Sequence, residues 1–250
     1  MTVKNWDFSS FDGVNLKIHE VGKGRALILL HGLFSNAETN WIKFGHAQLL
    51  ADAGFRVIMP DLRAHGESDA PHDPAAYPAD VLVKDIEALI ADLGLTDFDL
   101  GGFSLGARTT AKLLATGTSP RKAILAGMGL QGLSGWARRR DFFFQAIDTR
   151  DTAKRGDPHW LAIQFMKSQK IDPVAARLLL DSFSDMDPEE AASIETDTLV
   201  LCGSEDDDNG DPEELAAILL NGHYVAIPGT HMSSVTKAEL GQEMVRFLAG

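Results

Sequence analysis

The chain has 250 residues, 44% hydrophobic and 24% charged, which are the proportions of a globular domain and not of a disordered, collagenous or membrane-spanning chain. Its formal net charge of −13 disfavours nucleic acid as a partner, because neutralising a phosphate backbone needs clustered Lys and Arg. A single cysteine, Cys202, excludes an internal disulfide or a Cys-rich metal site, and the apolar run around it reads as buried packing.

The first residues, Met1 to Asp7, lack the basic start and apolar stretch of a signal peptide. No apolar run approaches the roughly 20 residues of a membrane span, so a cytoplasmic protein with no membrane partner is expected. Alternating segments around Trp6 and around Leu16 flank the tight-turn pair Asp12-Gly13 and predict a hairpin. Short β-type runs follow at residues 26–30, 56–59, 98–100, 123–126, 198–202 and 224–227. Helix-period segments separate most of them. Leu82, Ile86, Leu89, Ile90 and Leu93 form an apolar stripe that Gly94 ends, and Asp211-Pro212-Glu213-Glu214 has the cap, proline and acidic first turn of a helix start. Such alternation predicts an α/β fold: a mostly parallel sheet with helices on both faces, the opening hairpin adding antiparallel strands at one edge.

Residues 131–195 hold helix-like stretches, at 160–166 and 174–180, but no strand. An insertion of this size between sheet strands reads as a lid, which leaves residues 1–130 and 196–250 as the core domain. Within it, Arg138-Arg139-Arg140 reads as a solvated helix face, three arginines being too few against an acidic background for a nucleic-acid or anion site.

Gly102-Phe103-Ser104-Leu105-Gly106 fits G-x-S-x-G between an apolar strand and a helical run, the setting of a nucleophile elbow. A turn this sharp needs small residues two positions either side of the serine, and both are glycine. The helix behind it aims its amides at the site, favouring developing negative charge. A plain helix N-cap is the bland role for a serine placed here.

A tetrahedral intermediate requires two N–H donors aimed at its oxygen. Leu105 supplies one, and Leu33, in the turn His31-Gly32-Leu33-Phe34, supplies the other; His31 is read as ordering that loop. A serine also needs a positioned base. Among eight histidines, His231 alone lies in the loop leaving the last predicted strand, at the sheet edge where Ser104 emerges. His223 belongs to the opposite edge, His19 to the hairpin, and His46, His72 and His159 to polar surface contexts. After the strand at 198–202, Gly203-Ser204-Glu205-Asp206-Asp207-Asp208 offers four carboxylates to fix the imidazole tautomer. That cluster does not fit an EF-hand, since Ala216 stands where the bidentate glutamate belongs, and no metal or organic cofactor is expected.

Taken together, His31-Gly32, the segment Asp61-Leu62-Arg63-Ala64-His65-Gly66-Glu67-Ser68, the serine elbow, Gly203 to Asp206 and His231 resemble the α/β-hydrolase family over nearly the whole chain. The resemblance implies that Asp206, three residues after the strand-ending glycine, is the triad acid beside Ser104 and His231. It also implies that Asp61 and His65 shape a loop, and that the insertion is the family's helical cap. Thr230 departs from the glycine common before the histidine. Ser104 separates the chain from epoxide hydrolases and haloalkane dehalogenases, which carry an aspartate at the elbow.

The expected activity is hydrolysis of carboxylic esters of small or medium apolar acyl groups through an acyl-enzyme, so the expected partner is a small-molecule ester or acyl compound. The alternatives are a C–C hydrolase of meta-cleavage products, a cofactor-free perhydrolase, and a small-molecule sensor without turnover. Phe34, Phe103, Phe143 and Trp160 are the candidates for contacting the acyl group, with Trp136 and the remaining lid aromatics packing the lid onto the core.

Overall fold

The computed structural model describes residues 2–250. The chain opens with a hairpin, β1 (Lys4–Ser9) and β2 (Asn15–Gly22), and continues through β3 (Arg25–Leu30), β4 (Phe55–Pro60), β5 (Phe98–Phe103), β6 (Lys122–Ala126), β7 (Asp197–Gly203) and β8 (Gly222–Ile227). These strands form one sheet in the order β1-β2-β4-β3-β5-β6-β7-β8. The six strands from β3 to β8 run parallel, and β2 pairs antiparallel with both β1 and β4, which gives the expected antiparallel edge. Strands buried on both faces read as continuous apolar runs, and β3 and β6 do so.

Side-chain alternation along the strands sorts the core into two faces. Leu27, Leu29, Val57 and Met59 face α1 (His46–Asp52) and α11 (Ala238–Ala249), while Ala26, Ile28, Leu30 and Ile58 face α2 (Val81–Asp92) and α3 (Leu105–Ala115). Five helices lie between β6 and β7: α4 (Leu130–Ser134), α5 (Trp136–Asp148), α6 (Trp160–Ser168), α7 (Pro173–Asp181) and α8 (Pro188–Ala192). Leu130, Leu133 and Ala191 share a cluster with strands β6 and β7 and with α9 (Pro212–Ile218), so α4 and α8 belong to the layer covering the sheet. The middle helices instead build their own cluster around Trp136, Met166, Ile171 and Leu180, and Phe34 of the core reaches into it. Asp211 starts α9 as its sequence suggests, accepting from the N–H groups of Glu213 and Glu214. Among the described residues no helix is long and apolar enough to cross a membrane.

The loops at the carboxyl ends of β3 and β4 are held by buried polar groups. Asp61 accepts from the N–H of Ala37 at 2.8 Å and of Glu67 at 2.9 Å, and His19 Nε2 lies 3.3 Å from it. Burial pushes this carboxyl's pKa up, but the His19 contact, the nearby His31 and the two amides outweigh it and hold it below its ordinary value. Arg63, fully buried, pairs through Nη2 and Nε with Asp85 at 2.7 and 3.0 Å and through Nη1 with Asp12 at 2.7 Å, joining the loop to α2 and to the hairpin turn. His31 and His65 work as a pair. His31 Nδ1–H donates to the Gly32 carbonyl and its Nε2 accepts from the Leu62 N–H, while His65 Nδ1–H donates to the Arg63 carbonyl and its Nε2 accepts from the Phe34 N–H. Both roles require a neutral imidazole. Burial lowers the pKa of each, that of His65 to about 3.

The pH dependence follows from that depression. For His65 the unfolded chain takes up the proton near pH 6.5 and the folded chain only near pH 3, so the stabilisation is complete above about pH 6.5 and is lost as pH falls towards 3. In thermal or urea unfolding between about pH 6.5 and pH 5, stability should fall by up to about 1.4 kcal/mol per pH unit through His65, with His31 acting in the same direction. His65→Gln, which keeps an acceptor but does not titrate, should flatten the slope by about one proton. A slope unchanged by that substitution would place the titrating groups elsewhere.

Candidate active site

Ser104 stands between β5 and α3 with φ 54° and ψ −109°, a backbone conformation that residues other than glycine rarely adopt. The strand and helix can approach this closely because of the two glycines. A Cβ at Gly102 would lie 2.3 Å from the Gly106 backbone carbon, and one at Gly106 would lie 2.1 Å from the Leu30 carbonyl oxygen. The Ser104 N–H is fixed by the Ala126 carbonyl at 2.8 Å, and its own carbonyl accepts from the Arg108 N–H at 2.9 Å. Its hydroxyl makes no capping hydrogen bond, so the N-cap role does not apply.

The hydroxyl points instead to His231. Ser104 Oγ lies 3.0 Å from Nε2, and the opposite ring nitrogen, Nδ1, lies 2.9 Å from Asp206 Oδ2. His231 opens the short α10 (His231–Ser234) after β8, and the Thr230 side chain caps that turn by accepting from the Ser233 N–H. Thr230 thus anchors the histidine's backbone. Phe103 packs against the imidazole with ring centroids 4.9 Å apart. The Asp206 side chain is 2% exposed and that of His231 10%, whereas Glu205, Asp207 and Asp208 are exposed. Asp206 is held in the first turn after β7, where its N–H donates to the Gly203 carbonyl at 3.0 Å.

Gly32 to Ser35 form a tight turn, closed by the Ser35 N–H on the Gly32 carbonyl at 3.1 Å and carrying Phe34 at φ 58°. Since His65 consumes the Phe34 N–H at 3.0 Å, the free amide of this turn is that of Leu33. Leu105, the first residue of α3, has no residue within the helix to receive its N–H. Neither the Leu33 nor the Leu105 amide has a partner among the described residues.

Ser104 and His231 open into a cavity of about 810 Å³. Phe34, Phe103 and Phe143 line it, as do Leu33 and Leu105. Trp160 does not, contrary to expectation: α6 presents Leu161, Ala162 and Phe165 to the cavity, a helical face that leaves Trp160 to one side. Two further expectations are corrected. His46 is buried, its Nε2–H donating to the Val235 carbonyl at 2.7 Å, and is not a surface residue. The arginine run is not one solvated face, because Arg138 is exposed, Arg140 pairs with Asp181 at 3.2 Å and Arg139 lines the cavity. Cys202 is buried, and burial pushes its thiol up to about 12.

Sequence reasoning missed three polar residues of the site. Asn40 accepts from the Gly32 N–H at 3.1 Å, Asn209 donates to the Gly127 carbonyl at 2.7 Å, and Arg108 lines the cavity one helical turn after the serine. A signal existed for Arg108 only: a charge placed at i+4 from the nucleophile, on the face of α3 that must meet the lid.

The family model for the α/β hydrolase fold matches residues 25–161. Epoxide hydrolase 2 of Siraitia grosvenorii is 36% identical over 99 residues, which are 39% of this chain and 30% of that protein. The matched segment takes in under a third of the length of each of three Siraitia grosvenorii epoxide hydrolases, 30%, 28% and 29%. Solved structures align over the full chain: an esterase from Exiguobacterium antarcticum with TM-score 0.80 and 19% identity, covering 99% of this chain and 100% of that one, and a bromoperoxidase from Bacillus anthracis with TM-score 0.76, 19% identity and the same coverage. At such identity the structures speak for the fold alone, while the family model takes in β3 through α5 with the serine elbow at its centre. The chain belongs to the α/β hydrolase fold family.

Proposed function

We infer that the protein is a serine hydrolase that cleaves carboxylic esters of small or medium apolar acyl groups. One observation carries this reading: the relay Asp206, His231, Ser104, with bonds of 2.9 and 3.0 Å, ends in a hydroxyl that opens into a largely apolar cavity. Asp206 accepts from the Nδ1–H and so keeps the Nε2 lone pair aimed at the serine. As Oγ attacks the ester carbonyl, Nε2 takes the hydroxyl proton, and the developing oxyanion is received by the Leu33 and Leu105 amides. Collapse expels the alkoxide, which takes the proton from His231. A water, deprotonated by the same nitrogen, then attacks the acyl-enzyme and releases the acid.

The chemistry of the nucleophile separates this reading from the activity in the relatives' names. Opening an epoxide with an elbow aspartate leaves an ester on the enzyme, and water can hydrolyse that ester. The same attack by Ser104 would leave an ether, with no carbonyl for the second step. An acyl group on Ser104 has that carbonyl, so turnover is possible.

A fluorophosphonate should label Ser104 and no other residue, and Ser104→Ala or His231→Ala should lower ester turnover by about 10⁴- to 10⁶-fold. Labelling that survives Ser104→Ala, read by peptide mass mapping, would overturn the reading.

The identity of the acid is separately testable. Asp206→Asn keeps the shape but favours the wrong tautomer, and kcat should fall by as much as about 10⁴. Alanine at Asp207 or Asp208, whose carboxylates are solvated, should cost less than about tenfold. A folded Asp207 or Asp208 variant more impaired than Asp206→Asn would move the acid along the loop.

A further inference from the structure

The cavity over Ser104 is apolar apart from a few groups, and two of these are arginines with different surroundings. Arg108 is spent on the fold. Its Nη1 donates to the Gly132 and Leu133 carbonyls at 2.7 Å each, its Nη2 to the Ser184 carbonyl, and the Asp185 carboxylate lies 3.7 Å away. Arg139 is not spent. One N–H, on Nη1, reaches the Asp208 carbonyl, and the guanidinium carbon lies 5.9 Å from the Phe143 ring centre. No carboxylate comes within ion-pair distance of it among the described residues, although Asp206 and Asp208 act on it from farther off. Four of the five N–H donors of this guanidinium therefore have no protein partner.

A cation half-buried in an apolar wall is costly unless something pairs with it. Burial lowers the pKa of Arg139, the mark of a charge held away from water without full compensation. Arg139 lines the cavity together with Asp208 and Phe143, the two residues its guanidinium approaches, so N–H donors without a protein partner are available at the wall of the space open to a substrate. A guanidinium edge matches a carboxylate with two parallel N–H donors, which is the ligand chemistry an empty fork of this kind selects. Most of the remaining wall is apolar and accepts hydrocarbon.

We propose that Arg139 seats a carboxylate, and that the substrate is an ester bearing an anionic group separated from the scissile carbonyl by an apolar spacer. This deepens the ester-hydrolase reading and rests on it, narrowing the acyl group to one whose apolar stretch ends in a charge. Arg139 is then the residue that decides between an acidic ester and its neutral counterpart, acting on binding and not on the chemistry of Ser104.

The test compares p-nitrophenyl hexanoate with the p-nitrophenyl hemiester of hexanedioic acid, which differs by a terminal carboxylate. The quantity read is the ratio of kcat/KM for the acidic ester to that for the neutral one, so a general loss of activity cancels. Arg139→Gln should lower this ratio by about tenfold or more, mainly through KM, with Arg139→Lys intermediate because it keeps the charge and loses the fork. A ratio unchanged by Arg139→Gln, with both esters impaired equally, would assign Arg139 to holding the acid loop and overturn the anion seat. Binding of hexanedioate against hexanoate, measured by calorimetry on the same proteins, separates the two levels. Arg139-dependent binding of the dianion with no turnover of either ester would sink ester hydrolysis and leave the seat standing. Equal binding of both acids to the wild type and to Arg139→Gln would remove the seat whatever the activity.

Discussion

The backbone at Ser104 is bent into φ 54°, ψ −109°, and the site exists because the surrounding fold holds it there. Such a conformation costs on the order of 1–3 kcal/mol and persists only when its neighbours over-determine it. Here they do so through backbone: the Ala126 carbonyl on one side, the first turn of α3 on the other, and the near-contact of Gly106 with the Leu30 carbonyl. The result is a hydroxyl displayed above the sheet edge with a helix N-terminus behind it. Because β3, β5 and β6 are neighbours in one parallel sheet, the loops carrying Leu33, Ser104 and the start of the lid all leave the same edge. Strands β7 and β8 extend that edge and bring Asp206 and His231 to it.

Around this hydroxyl the fold spends its polar groups in the interior on geometry. His65 takes the Phe34 amide, and the Leu33 amide of the same turn, in the wall of the cavity, is left without a partner among the described residues. His31 and Asp61 tie that turn to the loop after β4. These histidines are useful because they are neutral: each ring presents one donor and one acceptor in fixed directions, which a protonated imidazole cannot. His231 differs from them in having its acceptor nitrogen aimed at a hydroxyl above the sheet edge and its donor at a buried carboxylate.

Much of this was legible in the sequence where short-range chemistry decides it. The apolar runs of β3 and β6, the Asp12-Gly13 turn, the Asp211 cap and the glycines around Ser104 are each dictated by neighbours a few residues away. The three residues now joined by hydrogen bonds were found because loops after parallel strands share an edge. The failures are long-range. His46 starts a helix after the exposed Lys43 and Phe44, yet it packs against Gly241 of α11 and bonds to Val235, a contact 189 residues away. Residue type alone points to Trp160, while the rotation of α6 about its axis turns Leu161 and Phe165 to the cavity instead. Three consecutive arginines read as one face, but successive helical residues point about 100° apart, and of the three only Arg139 meets the cavity. Within the insertion at 131–195, α4 and α8 join the layer on the sheet, while α5 and α6 line the cavity over Ser104.

The reaction is decided by which atom of the protein bonds to the substrate. Acid-quenching the wild-type protein during turnover of an activated ester, in water enriched in heavy oxygen, identifies that atom by mass spectrometry of the digested protein and of the released acid. The expected result is an acyl group on the peptide containing Ser104 and heavy oxygen in the product acid. Heavy oxygen built into the side chain of an enzyme carboxylate, with no acyl group on Ser104, would contradict it and make a carboxylate the nucleophile.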